Sequence, residues 1–535
     1  MTRTTVPDIL AGLSIAALLL PEAVAYSGLA GLPPQAGVIA LLAGLGCYGL
    51  IGSSRFAIVS ATSSSAAVLA SAIAALGGDS ATERAVLASI LVAGSGIAFA
   101  LCAALRLGAM SNLIARPVLR GYTFGLALVI AVSQWPHLAN VPAHSRDFFV
   151  LIVELLREYR AWHLPSLACG LSALAGLFLL ERVPKVPGTL VVIVASILAA
   201  PLLAAQGVVL TGPIHLALSM PAFSVPPGLR ALPIIEYSLA IMFILYAESY
   251  SSIRTFALKH DETVPPNREL FALGVANLVS GLLRGTPVGA GYSATSANEA
   301  AGAQSRLAGL SAAFIVLVLV LAFLGWIERI PAPVLAAVII HAVSKSLRLS
   351  QFRNYMRWRR DRLLAVAAGL AVLVLGVLNG LLAAIVLTVV LLLRSLARPR
   401  LSVLGLVGEH DYVSVLRFPA AKTVPGMLVL RPEEPLFFAN AEPLMLQVRE
   451  RVRAEPGTRV VVLSLEESPD LDSTSLEALS ELCEWLSRHG VELRVARLKD
   501  SAREALARAN LRQLTPSALH YASVDDAVRG RRVNP

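Results

Sequence analysis

Residues 286–299 have the sequence Thr286-Pro287-Val288-Gly289-Ala290-Gly291-Tyr292-Ser293-Ala294-Thr295-Ser296-Ala297-Asn298-Glu299 and lie between two apolar runs, at 267–283 and 307–326. The segment is rich in glycine, proline and hydroxyl side chains, so it cannot form a helix that faces lipid along its whole length. Broken backbone at membrane depth is tolerated only where it lines a protected cavity, because an unpaired amide in hydrocarbon costs several kcal/mol. We expect this segment to line such a cavity.

A second segment in the first half of the chain carries the same four letters. Ser60-Ala61-Thr62-Ser63 matches Ser293-Ala294-Thr295-Ser296. Pairs of hydrophobic segments interrupted by glycine, proline or serine, at corresponding places in two halves, are typical of the binding sites of membrane transporters. The two segments therefore predict a substrate site where two repeats meet.

The composition separates a membrane part from a soluble part. The 535 residues are 56% hydrophobic and 15% charged, with a mean hydropathy of +0.70, whereas a soluble protein is about one quarter charged. Up to residue 400 the chain is a series of apolar runs long enough to cross a bilayer, and charged residues concentrate after it. We predict a membrane transporter domain at 1–400, a linker at 401–424, a soluble domain at 425–530 and a disordered tail at 531–535.

The sequence lacks the motifs of enzymes and of primary pumps. It contains no GxSxG motif, P-loop, nucleotide fingerprint or Cys/His array. We therefore predict that the protein is not an enzyme, binds no cofactor and is not driven by ATP. The net charge of +10 is explained by cytoplasmic loops, which collect Lys and Arg in membrane proteins, so nucleic acid is not an expected partner.

Hydropathy predicts fourteen membrane segments, seven in each half, of which the third and the tenth are too short or too polar to span alone. An odd number per half inverts the second half relative to the first. Loops on the side of the N-terminus carry roughly three times as many Lys and Arg residues as loops on the other side. This places the N-terminus and the soluble domain on the cytoplasmic side, and we expect the membrane to be the cell (inner or plasma) membrane. The predicted segments are 8–28, 35–52, 61–77, 84–105, 117–136, 163–180, 187–205, 231–253, 267–284, 292–303, 307–326, 331–347, 362–379 and 380–397.

Two glutamates lie inside predicted segments, where a carboxylate costs about 2.5–3.5 kcal/mol and needs a reason. Glu22 is followed one turn later by Tyr26, and Glu248 is followed by Ser249 and Ser252. A structural explanation is open for each, since Glu22 can bond backbone freed by the preceding proline and Glu248 can reach the interface. The functional interpretation makes them carriers of a coupling ion, because a Glu-x-x-x-Ser pair offers oxygen atoms to a small hard cation such as Na⁺.

Two further polar residues lie in the second half. His341 is a single histidine on an apolar face, and we expect it to be satisfied locally without a role in function. Glu299 closes the tenth segment and is interpreted either as a helix-end charge or as a gate.

Several short motifs along the chain resemble those of one family, the sulfate permease (SulP) anion transporters, and the soluble part resembles that family's STAS domain. The resemblance covers nearly the whole chain. The motifs are Leu20-Pro21-Glu22-Ala23-Val24-Ala25-Tyr26 followed by Gly31-Leu32-Pro33-Pro34, Glu248-Ser249, Asn267-Arg268-Glu269-Leu270, Ala276-Asn277, Ser280-Gly281 and Pro287-Val288, with Pro435-Leu436-Phe437-Phe438-Ala439-Asn440-Ala441-Glu442 and Asp472-Ser473-Thr474 in the STAS part.

The resemblance implies an α-helical membrane protein of fourteen segments in two inverted seven-segment repeats, divided into a core and a gate domain, with a small cytoplasmic α/β STAS domain. It implies a homodimer in the lipid bilayer, and a substrate held where the third and tenth half-helices meet. Ser473 and Thr474 lie where signalling STAS relatives carry a phosphorylated hydroxyl, which makes them regulatory candidates. The predicted substrate-binding residues are Glu22, Tyr26, Thr62, Ser63, Ser64, Gly291, Tyr292 and Ser293, and the predicted coupling-ion residues are Glu248, Ser249 and Ser252.

The chain departs from the family pattern at two places. The usual Gly-Pro before the third half-helix is Ser60-Ala61 here, and the Arg common just after the tenth-segment bend is Ala294. The second change removes a fixed positive charge, so handling of chloride or sulfate cannot be carried over from the relatives unexamined.

Two half-helix N-termini supply about half a unit of positive charge each, and their amides form a neutral oxyanion cradle with nearby hydroxyls. That charge suits a monovalent oxyanion such as bicarbonate, whereas a divalent anion requires a co-bound cation or proton. We expect secondary active transport of an inorganic anion of the sulfate or bicarbonate class, or of small carboxylates, coupled to a proton or sodium ion by alternating access. Two alternatives stay open, an uncoupled anion channel or exchanger and a STAS-based sensor with vestigial transport.

Overall fold

The computed structural model describes residues 5–78, 80–108, 116–143, 145, 147–183, 188–212, 231–347, 357, 359–509, 519 and 521–531. The chain divides into two compact units, Met1–Thr388 and Val389–Pro535. The first is built from apolar helices and the second around a small sheet, so each is described by itself.

The first half of the helical unit contains helices of different lengths and one very short strand, which precedes α3. Its elements are α1 (Thr5–Leu29), α2 (Pro34–Ile51), β1 (Val59–Ala61), α3 (Ser63–Ala75), α4 (Ala81–Ala104), α5 (Arg116–Ser133), α6 (Trp135–Ala139), α7 (Phe148–Arg157), α8 (Leu164–Leu180) and α9 (Gly188–Ala205).

The second half follows the same plan, with a short strand before a short helix. Its elements are α10 (Ala231–Lys259), α11 (Pro266–Leu282), β2 (Val288–Ala290), α12 (Tyr292–Ala300), α13 (Leu307–Ile327), α14 (Ala332–Ser344), a 3₁₀ turn (Lys345–Leu347), α15 (Arg359–Leu375) and α16 (Val377–Leu396).

Each of the fourteen predicted segments overlaps one of these helices. By length and composition, six helices among the described residues are suited to cross a membrane, and several shorter helices are also apolar. The number of segments that span the bilayer therefore stays a prediction. The last two segments meet at Gly376 rather than at 379–380, because Gly376 has a φ of +83° and turns the chain there.

Helix packing relates the two halves by exchange of corresponding elements. Helix α1 packs on α13 and its counterpart α10 packs on α4; α11 packs on α4 and α2 packs on α13. In the remaining helices α5 packs on α15, and α14 packs on α8. Each contact thus has a partner contact with the two halves exchanged, which is the packing expected of two structural repeats.

The two short strands form an antiparallel pair at the centre of this arrangement. Val59 pairs with Ala290 and Ser60 pairs with Gly289. The side chain of Asn277, fully buried on α11, holds β2 from behind because its Oδ1 accepts from the Val288 amide and its Nδ2 donates to the Val288 carbonyl, both at 2.9 Å.

This register corrects the interpretation of the four-letter repeat. The sequence match aligned Ser60 with Ser293, whereas the structure pairs Ser60 with Gly289, which lies four residues earlier. The structural counterparts are the residues that begin the two short helices, Thr62 before α3 and Gly291 before α12. The two halves therefore share a strand-to-helix junction, but the four residues that match in sequence do not occupy equivalent positions in the two junctions.

The second unit has a five-stranded sheet covered by helices. The order of strands is β4-β3-β5-β6-β7, with β5, β6 and β7 parallel and β3 antiparallel to β4 and β5. Its elements are β3 (Leu401–Val407), β4 (Asp411–Ser414), β5 (Met427–Pro432), α17 (Ala441–Ala454), β6 (Val460–Ser464), α18 (Ser473–Arg488), β7 (Glu492–Ala496), α19 (Asp500–Ala509) and α20 (Val524–Arg529).

Residues 401–424, assigned to a linker from the sequence, contain two strands of this sheet. Strand β3 pairs with β5, so that Leu401 lies opposite Pro432, and β4 extends the edge. The buried side chain of Leu404 belongs to one apolar cluster of the sheet, and Leu401 and Val403 pack against another, so this short apolar segment is stabilised as a strand. Of the tail predicted to be disordered, 532–535 lies outside the described residues.

Candidate functional site

The two strand-to-helix junctions open into one cavity of about 780 Å³. Its walls come from α1, β1, α5, α10, the starts of α3, α9 and α12, the end of α14 and the turn that follows α14. Several lining side chains, among them Ser251, Tyr292 and Ser293, are exposed, so the cavity communicates with its surroundings.

Helix α3 begins with a complete capping arrangement. The Thr62 hydroxyl accepts from the Ser65 amide at 3.1 Å, and the Ser65 hydroxyl oxygen accepts from the Thr62 amide at 3.0 Å. Ser65 also lies 3.0 Å from the Pro287 carbonyl, which fastens the start of α3 to the segment before β2. Thr62 and Ser63 line the cavity, so the positive end of α3 faces it.

Helix α12 begins without a side-chain cap. Its N-cap is Gly291, and the first turn continues through Tyr292, Ser293 and the buried Ala294, all four of which line the cavity. The ring of Tyr292 packs 5.2 Å from that of Phe256. Because no side chain competes for the first amides of α12, they are available to an anion, as helix N-termini commonly are.

Hydrogen bonds between side chains connect Thr62, at the start of α3, with Glu248 on α10. The Ser64 hydroxyl donates to the Glu248 carboxylate, and its oxygen lies 2.9 Å from the Thr62 hydroxyl oxygen, where either group can donate. Thr62 and Glu248 both line the cavity, whereas Ser64 is buried between them. The structure thus brings together two residues predicted for the substrate and one predicted for the coupling ion.

Glu22 lies in the same cavity on the opposite helix, α1. The buried Tyr26 hydroxyl, one turn further along, is within hydrogen-bonding reach of the Glu22 carboxyl. The Lys345 ammonium, from the turn after α14, acts electrostatically on the same carboxyl. Both intramembrane glutamates therefore have partners and both contact the cavity.

The two serines after Glu248 have different environments. The Ser249 hydroxyl oxygen accepts from the Ala290 amide at 2.9 Å and thereby holds β2, and Ser249 is not among the cavity-lining residues. Ser252 does line the cavity, and its buried hydroxyl has no hydrogen-bond partner among the described residues. The geometry gives Ser249 a structural contact and leaves Ser252 beside the cavity with Glu248.

Sequence reasoning missed a group of basic side chains that line the cavity. They come from the start of α5, from α10 and from the turn after α14, and their residue types had been used only to orient the chain in the membrane. Their signal in the sequence is a basic residue at the end of an otherwise apolar helix. The group consists of Arg116, Arg120, Arg254 and Lys345.

Two residues left without a role or with two interpretations now have partners. The His341 ring lies 3.1 Å from the Glu181 carboxylate and also lines the cavity. Glu299 forms an ion pair of 2.6 Å with Lys259 at the end of α10, and its carboxylate lies 2.6 Å from Nε2 of the next residue, His260. Among the described residues, no group of three His, Cys, Asp or Glu side chains is arranged to hold a metal ion.

The two regulatory candidates lie at the start of α18. Ser473 is exposed and Thr474 is half-buried. The preceding Asp472 caps the helix by accepting from the Ser475 amide at 2.8 Å, and it also accepts from the Phe438 amide at 2.7 Å. Burial acts to raise the pKa of Asp472, but these hydrogen bonds outweigh it and hold that pKa below its ordinary value.

Comparison with known proteins identifies both parts of the chain. The model of the sulfate permease family matches residues 6–369, and that of the STAS domain matches residues 418–527. A probable sulfate transporter of Mycobacterium tuberculosis is 36% identical over 94% of this chain and 91% of its own length. The chloroplastic sulfate transporter 4.1 of Arabidopsis thaliana is 28% identical over 98% of this chain and 79% of its own length.

Solved structures share the fold. Murine solute carrier 26 family member A9, an anion transporter in the inward-facing state, has a TM-score of 0.91 at 18% identity, covering 99% of this chain and 92% of that one. The transmembrane domain of the cyanobacterial bicarbonate transporter BicA has a TM-score of 0.64 at 20% identity, covering 72% of this chain and 98% of that one. The predicted fold class and the predicted resemblance are confirmed, and with a family match over residues 6–369 this multi-pass membrane protein belongs to the sulfate permease family of transporters and carries its STAS domain.

Proposed function

We propose that this protein is a secondary active transporter of an inorganic oxyanion of the sulfate and bicarbonate class, driven by a co-transported proton. The observation that carries the proposal is that Thr62, at the start of α3, and the Glu248 carboxyl line one cavity and are connected through hydrogen bonds to Ser64. The relatives named as sulfate transporters and the structural neighbours named as anion and bicarbonate transporters support the substrate class.

The charges of the cavity explain why an anion enters it. The two helix N-termini supply about half a unit of positive charge each. Four basic side chains and two carboxylates add a further net charge of +2 when all are ionised. A cavity with positive walls raises the local concentration of anions and their rate of entry, so the missing Arg at Ala294 does not leave the protein without attraction for its substrate.

The charges also explain why the anion enters with a proton. An ionised Glu248 near a bound anion repels it unless a proton or a cation neutralises the carboxylate. A proton requires no ligand other than Glu248, whereas a sodium ion requires several oxygen atoms, of which Glu248 and Ser252 are two candidates. We therefore place the coupling proton first and treat sodium as the other outcome of the test.

The proposed mechanism is alternating access, in which α1–α4 and α10–α13 form the core and the remaining membrane helices form the gate. The basic residues that line the cavity belong to helix ends assigned to the cytoplasmic side, so this conformation faces the cytoplasm. We propose that the N-terminus and the STAS domain are cytoplasmic, that the membrane is the cell (inner or plasma) membrane, and that two copies form a homodimer.

Uptake of labelled sulfate and bicarbonate into proteoliposomes tests the proposal. We expect accumulation above equilibrium with an inward proton gradient, and loss of accumulation when a protonophore collapses it. Accumulation that follows a sodium gradient instead would replace the proton by sodium. Equilibration without accumulation under either gradient, at normal anion permeability, would overturn coupled transport in favour of a channel or exchanger.

A further inference from the structure

The hydroxyl groups between the cradle and Glu248 have a limited number of protons. A serine or threonine hydroxyl donates one hydrogen bond and accepts two. Thr62 already accepts from the Ser65 amide, so it can accept one more bond and donate one. Ser64 lies between Thr62 and Glu248 and can donate to only one of them at a time.

When Glu248 is ionised, only one arrangement satisfies these groups. The carboxylate accepts and cannot donate, so Ser64 donates to it, and Ser64 in turn accepts from Thr62. The proton of Thr62 then points away from the cavity. The Thr62 hydroxyl then presents a lone pair to an incoming anion, and the anion site loses one hydrogen-bond donor.

When Glu248 is protonated, the whole chain can reverse. The Glu248 carboxyl donates to the Ser64 oxygen, Ser64 donates to Thr62, and the Thr62 hydroxyl is free to donate into the cavity that it lines. Each hydroxyl only rotates, and no proton passes along the chain. The added proton stays on Glu248.

We infer that Thr62, Ser64 and Glu248 form a polarity switch that makes anion binding depend on protonation of Glu248 through Ser64. The inference rests on the proposed function, in which the anion occupies the cradle, and it names Ser64 as the residue that positions the donor. By linkage, the anion and the proton then strengthen each other's binding by the same factor. The affinity for the anion should therefore be highest at low pH and should fall as the pH rises through the range in which Glu248 ionises.

Other titratable or charged groups share this environment and must be separated from Glu248. Helix α3 and strand β2 have none in their sequences. Glu22 is the other carboxyl, so its own variant belongs in the test. The titratable or charged groups that line the cavity or interact electrostatically with Glu248 are Glu22 and Tyr26 of α1, Arg116, Arg120 and Tyr122 of α5, Tyr250 and Arg254 of α10, Tyr292 of α12, His341 of α14 and Lys345 of the turn after it.

Equilibrium binding of labelled sulfate to the purified full-length protein, measured over a series of pH values, tests the switch. For one linked proton the dissociation constant rises by up to about tenfold per pH unit between the pKa of the carboxyl in the free protein and its pKa in the anion complex. We expect this slope in the wild type, in Ser64→Thr, which keeps the hydroxyl, and in Glu22→Gln. Ser71→Ala is the matched control, because Ser71 lies on the same helix but its hydroxyl donates to the Ala67 carbonyl.

Two variants should lose the slope. Ser64→Ala should bind with one affinity at every pH, because the Thr62 proton no longer has Ser64 as its acceptor and can donate to the anion whatever the protonation state of Glu248. Glu248→Gln should bind at high pH as the wild type binds at low pH, because its uncharged amide can donate to Ser64 at every pH. A folded Ser64→Ala protein that keeps the wild-type slope would overturn the switch and leave direct repulsion by Glu248 as the cause.

The result is separable from that of the proposed function. Binding is measured without a gradient, so a slope that depends on Ser64 supports the switch even if vesicles show no accumulation, which would count against coupled transport alone. Conversely, normal accumulation with a slope that ignores Ser64 would overturn the switch and leave the proposed function standing. If Ser64→Ala does not fold, Thr62→Val against Thr62→Ser makes the same comparison at the other end of the chain.

Discussion

Replacing Ala294 by Arg adds a positive charge beside the cavity and should increase the affinity for anions. Ala294 is in the first turn of α12, is 6% exposed and lines the cavity beside the open amides of that helix. An Arg at this position can extend into the cavity of about 780 Å³. Its guanidinium would then lie beside the anion that the two helix ends hold.

The size of the effect follows from the distances involved. At about 4 Å and an effective dielectric constant of about 20, one unit charge contributes around 4 kcal/mol. The gain in binding free energy is smaller than this, because the new guanidinium can pair with Glu22 or Glu248 when no anion is bound. If one third remains, the affinity rises about tenfold. A cation at a helix N-terminus costs about 0.3–1 kcal/mol, but this cost affects stability, since it is present with and without the anion.

The assay is sulfate binding to Ala294→Arg and to Ala294→Gln, which has a comparable reach without the charge, at several pH values. We expect tighter binding for the Arg variant alone, with a smaller dependence on pH, because the new charge takes over part of the role of the proton. Equal affinities for two well-folded variants would refute the reasoning. Position 294 would then not face the anion, and the site would have to lie elsewhere in the cavity.

Three further predictions concern the STAS unit. Deletion of 401–535 should give a membrane domain that is better folded, by thermal stability in detergent, than deletion of 425–535, because the longer remainder keeps β3 and β4 without their partner β5; equal stability would contradict this. Asp472→Ala should destabilise the unit by about 1–2 kcal/mol in denaturant unfolding, since the helix cap and the bond from Phe438 are lost. Because the pKa of Asp472 is lowered, this contribution is present at neutral pH and should be lost as pH falls below about 4, through the folded-state pKa. If the STAS unit is regulated by phosphorylation, Ser473→Asp should change the transport rate, whereas a rate identical to that of the wild type would argue against such control.

The helices could be predicted from the sequence because lipid imposes long apolar runs with few charges. The predicted segments overlap the helices, and the two polar junctions were recognised because glycine, proline and hydroxyl residues cannot continue a lipid-facing helix. The short strands β3 and β4 were not predicted. Leu401–Val407 is a brief apolar run at the start of the second unit, and only its pairing with β5 explains its conformation.

The site could be predicted only in part, since its contacts join residues far apart in the chain. Glu248 and Ser64 were both candidates, but their hydrogen bond joins residues 184 positions apart on different helices, and no local pattern encodes it. Lys345 had been used only to orient the chain, because its contact with the cavity depends on how α14 packs. Ser249 was grouped with Glu248 by adjacency, although successive residues of a helix point in different directions.

The central claim is that Glu248 carries the proton that drives accumulation of the anion. Gradient-driven uptake by wild-type and Glu248→Gln proteoliposomes, with counterflow of labelled sulfate measured in the same vesicles, tests it most directly. We predict that the wild type accumulates sulfate under an inward proton gradient, and that the variant exchanges sulfate but only equilibrates it. Accumulation by the Glu248→Gln protein to the wild-type level would contradict the account.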